Sequence, residues 1–221
     1  MEGPRTLRAV RSWDEAVPDR SSDNSVRETI LLVVGERGYE RAGVQEVAER
    51  SGIGRDQFHR RFGSKDECFA DAYEEALERL VDDLLATGRE ADSWRLGFRA
   101  ALAELLRFIA EQPLLAKALL VEVRAARGRA WAAHQRGMER LVAALDAVRD
   151  DPDVLPTASP VTAGFMVGAI GESLALEIGA GREAEIERLL PDLCHLVVLN
   201  YFGEDEAWLE LRSEDVPVQT R

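Results

Sequence analysis

Five side chains that can contact nucleic acid lie within seven consecutive positions of the sequence. They are Arg55, Gln57, His59, Arg60 and Arg61. Arginine and glutamine form paired hydrogen bonds with the edges of guanine and adenine in the major groove. Arginine and histidine also donate hydrogen bonds to phosphate oxygens. These residue types therefore indicate recognition of double-stranded DNA, provided that one element presents them together.

Apolar residues on both sides predict the elements that position these side chains. Val44, Val47 and Ala48 give one short helix an apolar stripe, and Phe58 with Phe62 forms the inward face of a second helix. A helix of this size fits the major groove of DNA. The spacing predicts two short helices, with the polar side chains on the outward side and the edge of the second.

The four residues between these helices predict a sharp turn. In the run Ser51–Gly54, Gly52 can adopt the positive φ that such a turn needs, and Ile53 can fill the corner between the helices. Ala48 is small where the helices must cross closely. The segment from Gly43 to Phe62 is therefore predicted to be a helix-turn-helix. The alternative is an ordinary helical hairpin whose arginines form a solvated face.

Charge is distributed unevenly along the chain. The net charge of −13 argues against a general affinity for nucleic acid. Residues 1–65, however, hold 12 Lys and Arg against 11 Asp and Glu, whereas the remaining residues hold 16 against 30. Between residues 51 and 65, Arg55, Arg60, Arg61 and Lys65 face the single acidic residue Asp56. One short segment of an acidic protein is locally cationic.

Start and stop signals predict an all-α fold. Two capping boxes, Ser25 with Glu28 and Ser64 with Glu67, predict the start of a first helix and of a long helix ending near Gly88. Breakers divide the remainder into five more predicted helices, over 94–111, 113–126, 129–150, 160–178 and 182–202. No alternation of apolar and polar residues predicts a strand.

Several classes of protein are not expected. The most apolar segment, residues 160–178, contains Glu172 and Glu177, and the first twenty residues have no apolar core of a secretory signal, so we expect a cytoplasmic protein without a membrane span. The sequence contains no Gly-rich phosphate loop, nucleophile elbow or His-Glu metal motif. We therefore do not expect an enzyme.

Cysteine and histidine are too sparse to predict a metal or cofactor site. Cys68 and Cys194 are far apart in apolar contexts and are predicted to be buried free thiols. The three histidines, His59, His134 and His195, lack metal-ligand spacing. We therefore expect no cofactor and no bound metal.

About a fifth of the chain, near its N-terminus, resembles the tetracycline-repressor (TetR) family of regulators. The resemblance runs from about Val26 to Ala72 and rests on Gly38-Tyr39, Val47-Ala48, Ser51-Gly52-Ile53, Phe62 and Ser64-Lys65. It implies a three-helix DNA-binding head, a linking fourth helix, a ligand-binding body and a homodimer closed by the last two helices. It also implies that Lys65 contacts a DNA phosphate.

The sequence departs from the family pattern within the predicted DNA-binding set. Gly43 replaces a threonine that caps a helix and contacts phosphate, and glycine has no hydroxyl to donate. His59 replaces a tyrosine that contacts phosphate, and it retains a donor. Gly54 and Asp56 also differ, so base preference cannot be transferred from the family. We therefore expect Arg55, Arg60, Arg61 and Lys65 to contribute more of the contact with DNA.

These observations predict four segments of the chain. We expect a flexible N-terminal arm over residues 1–22, a helix-turn-helix DNA-binding domain over 23–83, a helical ligand-binding and dimerisation domain over 84–203, and a polar, frayed tail over 204–221. The body offers aromatic and polar candidates for a ligand pocket, although side chains at this spacing are more often plain core. The candidates are Trp94, Phe98, Trp131, His134, Met138, Phe165 and Glu172.

Two segments of the body predict a homodimer interface. Gly164, Gly168 and Gly171 lower the steric barrier for a neighbouring helix. The last long helix has a broad apolar stripe made of Ile186, Leu189, Leu190, Leu193, Leu196, Val197 and Tyr201. The alternative is that these residues pack only within one chain.

The function predicted from the sequence is that of a ligand-responsive DNA-binding transcriptional regulator. In this reading a homodimer represses transcription by binding a palindromic operator and is released by a small-molecule effector. The alternative is a helical interaction protein whose degenerate head does not bind DNA. A mobility shift at varied salt separates the two.

Overall fold

The computed structural model describes residues 23–151, 154–155 and 158–212. This part of the chain is built from helices and contains no strand, which confirms the predicted all-α fold. The predicted arm, residues 1–22, and residues 213–221 of the predicted tail lie outside the described residues. The helices in chain order are α1 (Asp23–Arg37), α2 (Val44–Arg50), α3 (Arg55–Phe62), α4 (Lys65–Arg89), α5 (Trp94–Glu111), α6 (Pro113–Leu120), α7 (Arg129–Asp146), α8 (Thr162–Gly179), α9 (Leu190–Phe202) and α10 (Glu204–Arg212).

One of the two predicted capping boxes is confirmed. The Ser64 hydroxyl accepts a hydrogen bond from the Glu67 backbone N–H at 3.1 Å, so α4 begins where the sequence predicted. The box at Ser25 is wrong, because α1 already begins at Asp23 and Ser25 lies buried inside the helix. Asp23 places a carboxylate in the first turn, where the positive end of the helix dipole favours it.

Three of the predicted long helices are shorter in the structure, and each adjoins a 3₁₀-helix. The predicted helix over 182–202 is a 3₁₀-helix, Glu183–Leu189, followed by α9. Pro191 near the start of α9 lacks an N–H and excludes a continuous helix through this point. The predicted helices over 113–126 and 129–150 likewise end early, and short 3₁₀-helices follow over Glu122–Arg124 and Ala147–Asp150.

The segment after Gly203 is helical up to Arg212, so the prediction of a frayed tail is wrong for these residues. Ala207 is fully buried, and the buried Glu210 carboxylate accepts hydrogen bonds from Arg95 at 2.8 Å and from Arg99 at 3.0 Å. Both arginines lie on α5. An acidic residue that looks solvent-facing in the sequence is therefore held by partners on a distant helix.

Head and body share one hydrophobic core. Buried residues from α1, such as Val26 and Ile30, belong to the same cluster as Leu106 of α5 and Val197 of α9. Helix α4 packs against α1, α5 and α7, and α1 packs against α6. None of the described helices is both long and apolar enough to cross a membrane. The helix-turn-helix therefore sits on a body to which α1, α4 and α6 connect it.

The contact between α1 and α6 depends on a glycine. A Cβ atom added at Gly35 would overlap the backbone carbonyl of Leu114 at the start of α6. A second crossing of this kind joins α4 to α5, where a Cβ atom at Gly97 would overlap the carbonyl of Gly88. Because backbone atoms cannot rotate away as side chains do, both crossings require glycine.

Gly35→Ala is expected to destabilise the protein by about 1–3 kcal/mol, because the added methyl group forces α1 away from α6. Urea denaturation followed by circular dichroism measures this loss. Gly179→Ala is the matched control, since nothing lies within 4 Å of a Cβ atom there. Equal denaturation midpoints for the two variants would show that α1 and α6 do not approach this closely.

Candidate nucleic-acid interface

The helix-turn-helix predicted from Gly43 to Phe62 is present. Gly52 has φ of +69°, the left-handed conformation that the turn requires. The Ile53 N–H donates to the Ala48 carbonyl at 3.0 Å, and both side chains are buried where α2 and α3 meet. Glycine in the turn, alanine at the crossing and isoleucine in the corner thus occupy the places that the sequence assigned to them.

Two phenylalanines fix the orientation of α3. Phe58 and Phe62 are buried, and their ring centroids lie 5.3 Å apart. Because residues four apart share one face of a helix, the opposite side of α3 is turned to solvent. Arg55, His59 and Arg60 are exposed there, and Gln57 is half-buried at its edge.

The structure separates the four cationic residues of this segment into two groups. Arg55 and Arg60 form no hydrogen bond or ion pair with any residue that the structure describes. Arg61 instead donates from Nε to the Asp23 carboxylate at 2.6 Å and tethers α3 to α1. Lys65 donates to the Tyr39 carbonyl at 2.8 Å. Only the first two present their guanidinium groups without a partner among the described residues.

His59 is held in one tautomer by the end of its own helix. Its Nδ1 lies 2.9 Å from the Gly63 carbonyl oxygen, so the hydrogen of the neutral ring must be on Nδ1. The Nε2 atom of the neutral ring is then an acceptor. The sequence suggested that His59 replaces a tyrosine as a phosphate donor. In this geometry only the doubly protonated ring offers a second donor.

Neither Gly43 nor Gly54 is required by the backbone. Gly43 caps α2 with φ of −110° and Gly54 caps α3 with φ of −75°, both in the extended region. Nothing lies within 4 Å of a Cβ atom at either position. The first backbone N–H groups of both helices therefore lack a side-chain cap. Gly43 in particular leaves the start of α2 open for a close approach by another molecule.

Tyr39 joins the head to both α4 and the body. Its backbone N–H donates to the Glu122 carboxylate at 2.8 Å, its carbonyl accepts from Lys65, and its hydroxyl donates to Asp66 at 2.7 Å. The Lys65 ammonium also lies 4.3 Å from the centre of the Tyr39 ring. Burial, with the Asp66 carboxylate second, raises the pKa of the Tyr39 hydroxyl. The hydroxyl therefore remains a donor.

Sequence reasoning missed the role of this tyrosine. Gly38-Tyr39 entered only as part of the family resemblance, and nothing near Glu122 indicates a partner 83 positions away. The one local signal is Gly38, whose φ of +86° turns the chain at this point.

The predicted pocket residues lie in separate places. Trp94 stacks on Phe98 with centroids 5.4 Å apart, and the pair lies against α9. Phe165, near the start of α8, is 71% exposed. Glu172, further along α8, is exposed and accepts from Arg124 at 2.8 Å. These residues do not line one cavity.

Trp131 and His134 come together on α7, and Met138 follows one turn later. The Trp131 and His134 rings stack with centroids 5.0 Å apart. The Tyr73 hydroxyl donates to the Leu119 carbonyl at 3.1 Å, so the hydrogen in its 2.9 Å contact with His134 must come from Nδ1. Burial, and secondarily Arg124, lowers the pKa of His134. A neutral His134 thus carries an acceptor at Nε2 beside Trp131.

A small cleft of about 160 Å³ lies between α4 and α7. Leu77 and Val81 form its apolar part, and Glu74, Arg136 and Arg140 are among its charged lining. None of the seven predicted pocket residues lines it. Its volume is below the roughly 300 Å³ of the smallest usual ligand pockets.

Comparison with known proteins decides what this head is. Residues 30–72, which contain the helix-turn-helix, match the family described as bacterial regulatory proteins, tetR family. The head therefore has the helix-turn-helix domain of tetR-family bacterial regulatory proteins. The resemblance inferred from the sequence is thereby confirmed. No curated protein sequence matches the chain.

Solved structures share the fold over both head and body. The fatty acid degradation regulator FadR from Bacillus halodurans is 15% identical with a TM-score of 0.70, covering 80% of this chain and 98% of that one. The Stenotrophomonas maltophilia repressor SmeT is 18% identical with a TM-score of 0.70, covering 90% and 100%. FadR from Bacillus subtilis, in complex with stearoyl-CoA, is 13% identical with a TM-score of 0.69, covering 78% and 96%. At these identities the likeness establishes the tetR-type fold.

Gly52→Ala is expected to destabilise this regulator by about 1–2 kcal/mol, because alanine is strained in the left-handed conformation. Gly54→Ser is the matched variant two residues later. It supplies a hydroxyl cap to α3 and should change the free energy of unfolding by only a few tenths of a kcal/mol in the stabilising direction. Thermal denaturation of both variants measures the difference. Equal melting temperatures would contradict the turn geometry.

Proposed function

We propose that this tetR-family regulator binds a palindromic DNA operator as a homodimer and releases it when a small molecule binds to its body. The observation that carries the DNA-binding part is the surface of α3. Arg55 and Arg60 extend there without a described partner, on a protein with a net charge of −13. A helix whose exposed arginines have no described partner, in an otherwise acidic chain, is suited to a polyanion.

The geometry suggests a division of roles on DNA. We assign contact with base edges to Arg55, Gln57 and Arg60, since arginine and glutamine form paired hydrogen bonds with guanine and adenine. Lys65 stands at the start of α4, where unpaired backbone N–H groups and the helix dipole also favour a phosphate. The start of α2 at Gly43 offers backbone N–H groups to a second phosphate.

Two of the candidate residues have other roles in this proposal. Arg61 supports the recognition helix through its ion pair with Asp23, so its contribution to DNA contact is indirect. His59 contacts phosphate only when its ring is doubly protonated, because Gly63 holds the hydrogen on Nδ1. The sequence predicted that both residues contact DNA directly. The proposal gives Arg61 a supporting role and limits His59 to its doubly protonated form.

Exposed apolar residues on α8 and α9 support the homodimer. Phe165 is 71% exposed, Leu176 63%, Leu196 41% and Leu199 38%. Nothing lies within 4 Å of a Cβ atom at Gly164, Gly168 or Gly171, so α8 presents an open surface to a neighbouring helix. Apolar side chains at this density favour burial against a second copy.

Part of the predicted dimer stripe is internal to one chain. Ile186, Leu193, Val197 and Tyr201 are buried within the protomer. The stripe therefore divides into a face that packs on α5 and α8 and a face, represented by Leu196, that remains for a partner. Leu199, which the predicted stripe did not include, is also exposed on α9.

An effector site is best supported beside Trp131 and His134. Trp131 is 38% exposed, and its ring stacks on His134, whose Nε2 is an acceptor in the neutral ring. Through its Nδ1, His134 is bonded to Tyr73 on α4, the helix that begins at Lys65. FadR from Bacillus subtilis binds stearoyl-CoA on the same fold. We propose that an effector of this protein carries an apolar or aromatic group that stacks on Trp131.

Arg60→Ala should weaken specific DNA binding by about 1–3 kcal/mol, because it removes a contact with a base edge. The operator is first selected from a random pool, and binding is then measured by mobility shift. Helicity and the mass of the assembly should not change. Unchanged affinity would move the assignment to Arg55 or Gln57, and failure to select any palindromic DNA at low salt would refute the repressor proposal.

Phe165→Asp should shift the assembly from dimer to monomer, since a carboxylate in an apolar interface must be desolvated without a partner. Sedimentation velocity measures the change. Leu96→Asp is the matched control, because Leu96 is 56% exposed and lies on α5, which is not one of the two helices proposed to form the interface. Equal sedimentation of the two variants would exclude a dimer through the start of α8.

A further inference from the structure

The three-residue 3₁₀-helix Glu122–Arg124 contacts both the DNA-binding head and the body. Glu122 accepts a hydrogen bond from the Tyr39 backbone N–H at 2.8 Å. Arg124, two residues later, donates to Glu172 on α8 at 2.8 Å. Val123 between them is fully buried in the common core. One short segment therefore contacts the head at one end and α8 at the other.

The contact with the head is directed at a single turn. Gly38 has φ of +86°, and a Cβ atom there would lie 3.4 Å from the Glu122 carboxylate oxygen. This conformation brings the Tyr39 N–H and the carboxylate together. A hydrogen bond from a backbone N–H to a carboxylate is charge-assisted and stronger than one to a neutral acceptor. Tyr39 is 9% exposed, so solvent has little access to replace this partner.

The same tyrosine sets the place of the proposed phosphate contact. The Tyr39 carbonyl accepts from the Lys65 ammonium at 2.8 Å, and the ammonium lies over the Tyr39 ring. A lysine side chain otherwise explores many rotamers, and fixing it costs entropy. Tyr39 holds the ammonium at the start of α4, and the donors that it does not occupy remain for a phosphate.

We propose that Glu122 is a positioning residue for DNA binding. Through the Tyr39 backbone it fixes the Lys65 ammonium where it contacts phosphate, and thereby connects α8 of the body to the DNA surface. This inference rests on the proposed DNA-binding function. Arg124 is 48% exposed and its partner Glu172 54%, so a charged molecule can reach this end of the segment.

The test measures how affinity for the selected operator depends on salt, using the full chain. Removal of one phosphate contact lowers the slope of log affinity against log salt concentration by about one. Glu122→Ala should show this loss, because Tyr39 and Lys65 are no longer held. Between ~50 and ~200 mM salt its affinity should fall about fourfold less than that of the unmodified protein.

Two further variants test whether the slope depends on the hydrogen bond to Tyr39 or only on the negative charge of Glu122. Glu122→Gln keeps an acceptor for the Tyr39 N–H and should retain the original slope. Glu187→Ala removes the same charge from an exposed site on the 3₁₀-helix Glu183–Leu189 and should leave the slope unchanged. If Glu122→Ala loses its helical signal, Glu122→Asp replaces it in the test. The carboxylate of aspartate is one methylene shorter and should not reach the Tyr39 N–H, so the slope should fall as expected for Glu122→Ala.

A double variant identifies the residue through which Glu122 acts. If it acts through Lys65, Glu122→Ala should lower the slope no further in a Lys65→Ala background. An unchanged slope for Glu122→Ala, or an additive loss in the double variant, would overturn this inference while leaving the proposed function intact. A shallow slope for the unmodified protein would instead refute the proposed DNA binding.

Discussion

The structure depends on the hydrogen bonds of one residue, Tyr39. Its N–H, carbonyl and hydroxyl are bonded to Glu122, Lys65 and Asp66, which belong to the body and to the start of α4. A turn that faces two elements at once would otherwise leave buried polar groups without partners, at a cost of about 1–3 kcal/mol for each. By satisfying them, the fold fixes the head relative to both the body and α4.

Ion pairs around the head determine which of its arginines stay available. The carboxylates near the head pair with its arginines: Glu36 and Glu46 bind Arg50, and Asp23 binds Arg61. On α3, Arg55 and Arg60 have no partner among the residues that the structure describes. Because exposed ion pairs contribute little to stability, this pairing matters more for the surface that it leaves cationic. The acidic body disfavours contact with a polyanion, which supports α3 as the proposed surface for DNA.

The DNA-binding segment could be predicted because its constraints are local. The turn at Gly52, the crossing at Ala48 and the capping box at Ser64 each depend on residues within four positions. The body was predicted less well. Pro191 divides a predicted helix, and Glu210 converts an expected tail into a helix through partners on α5. Apolar periodicity indicated which residues are buried, but it did not indicate which other helices they pack against.

The sequence by itself determined the all-α class, the helix-turn-helix and the cationic character of α3, since periodicity, turn chemistry and charge are read along the chain. Only the tertiary structure decided which arginines of α3 lack a partner among the described residues, which tautomer His59 and His134 adopt, and which apolar residues stay exposed. It also decided that Glu122 reaches Tyr39 across 83 positions. Such contacts depend on how helices pack, and no local pattern encodes the distance between residues on different helices.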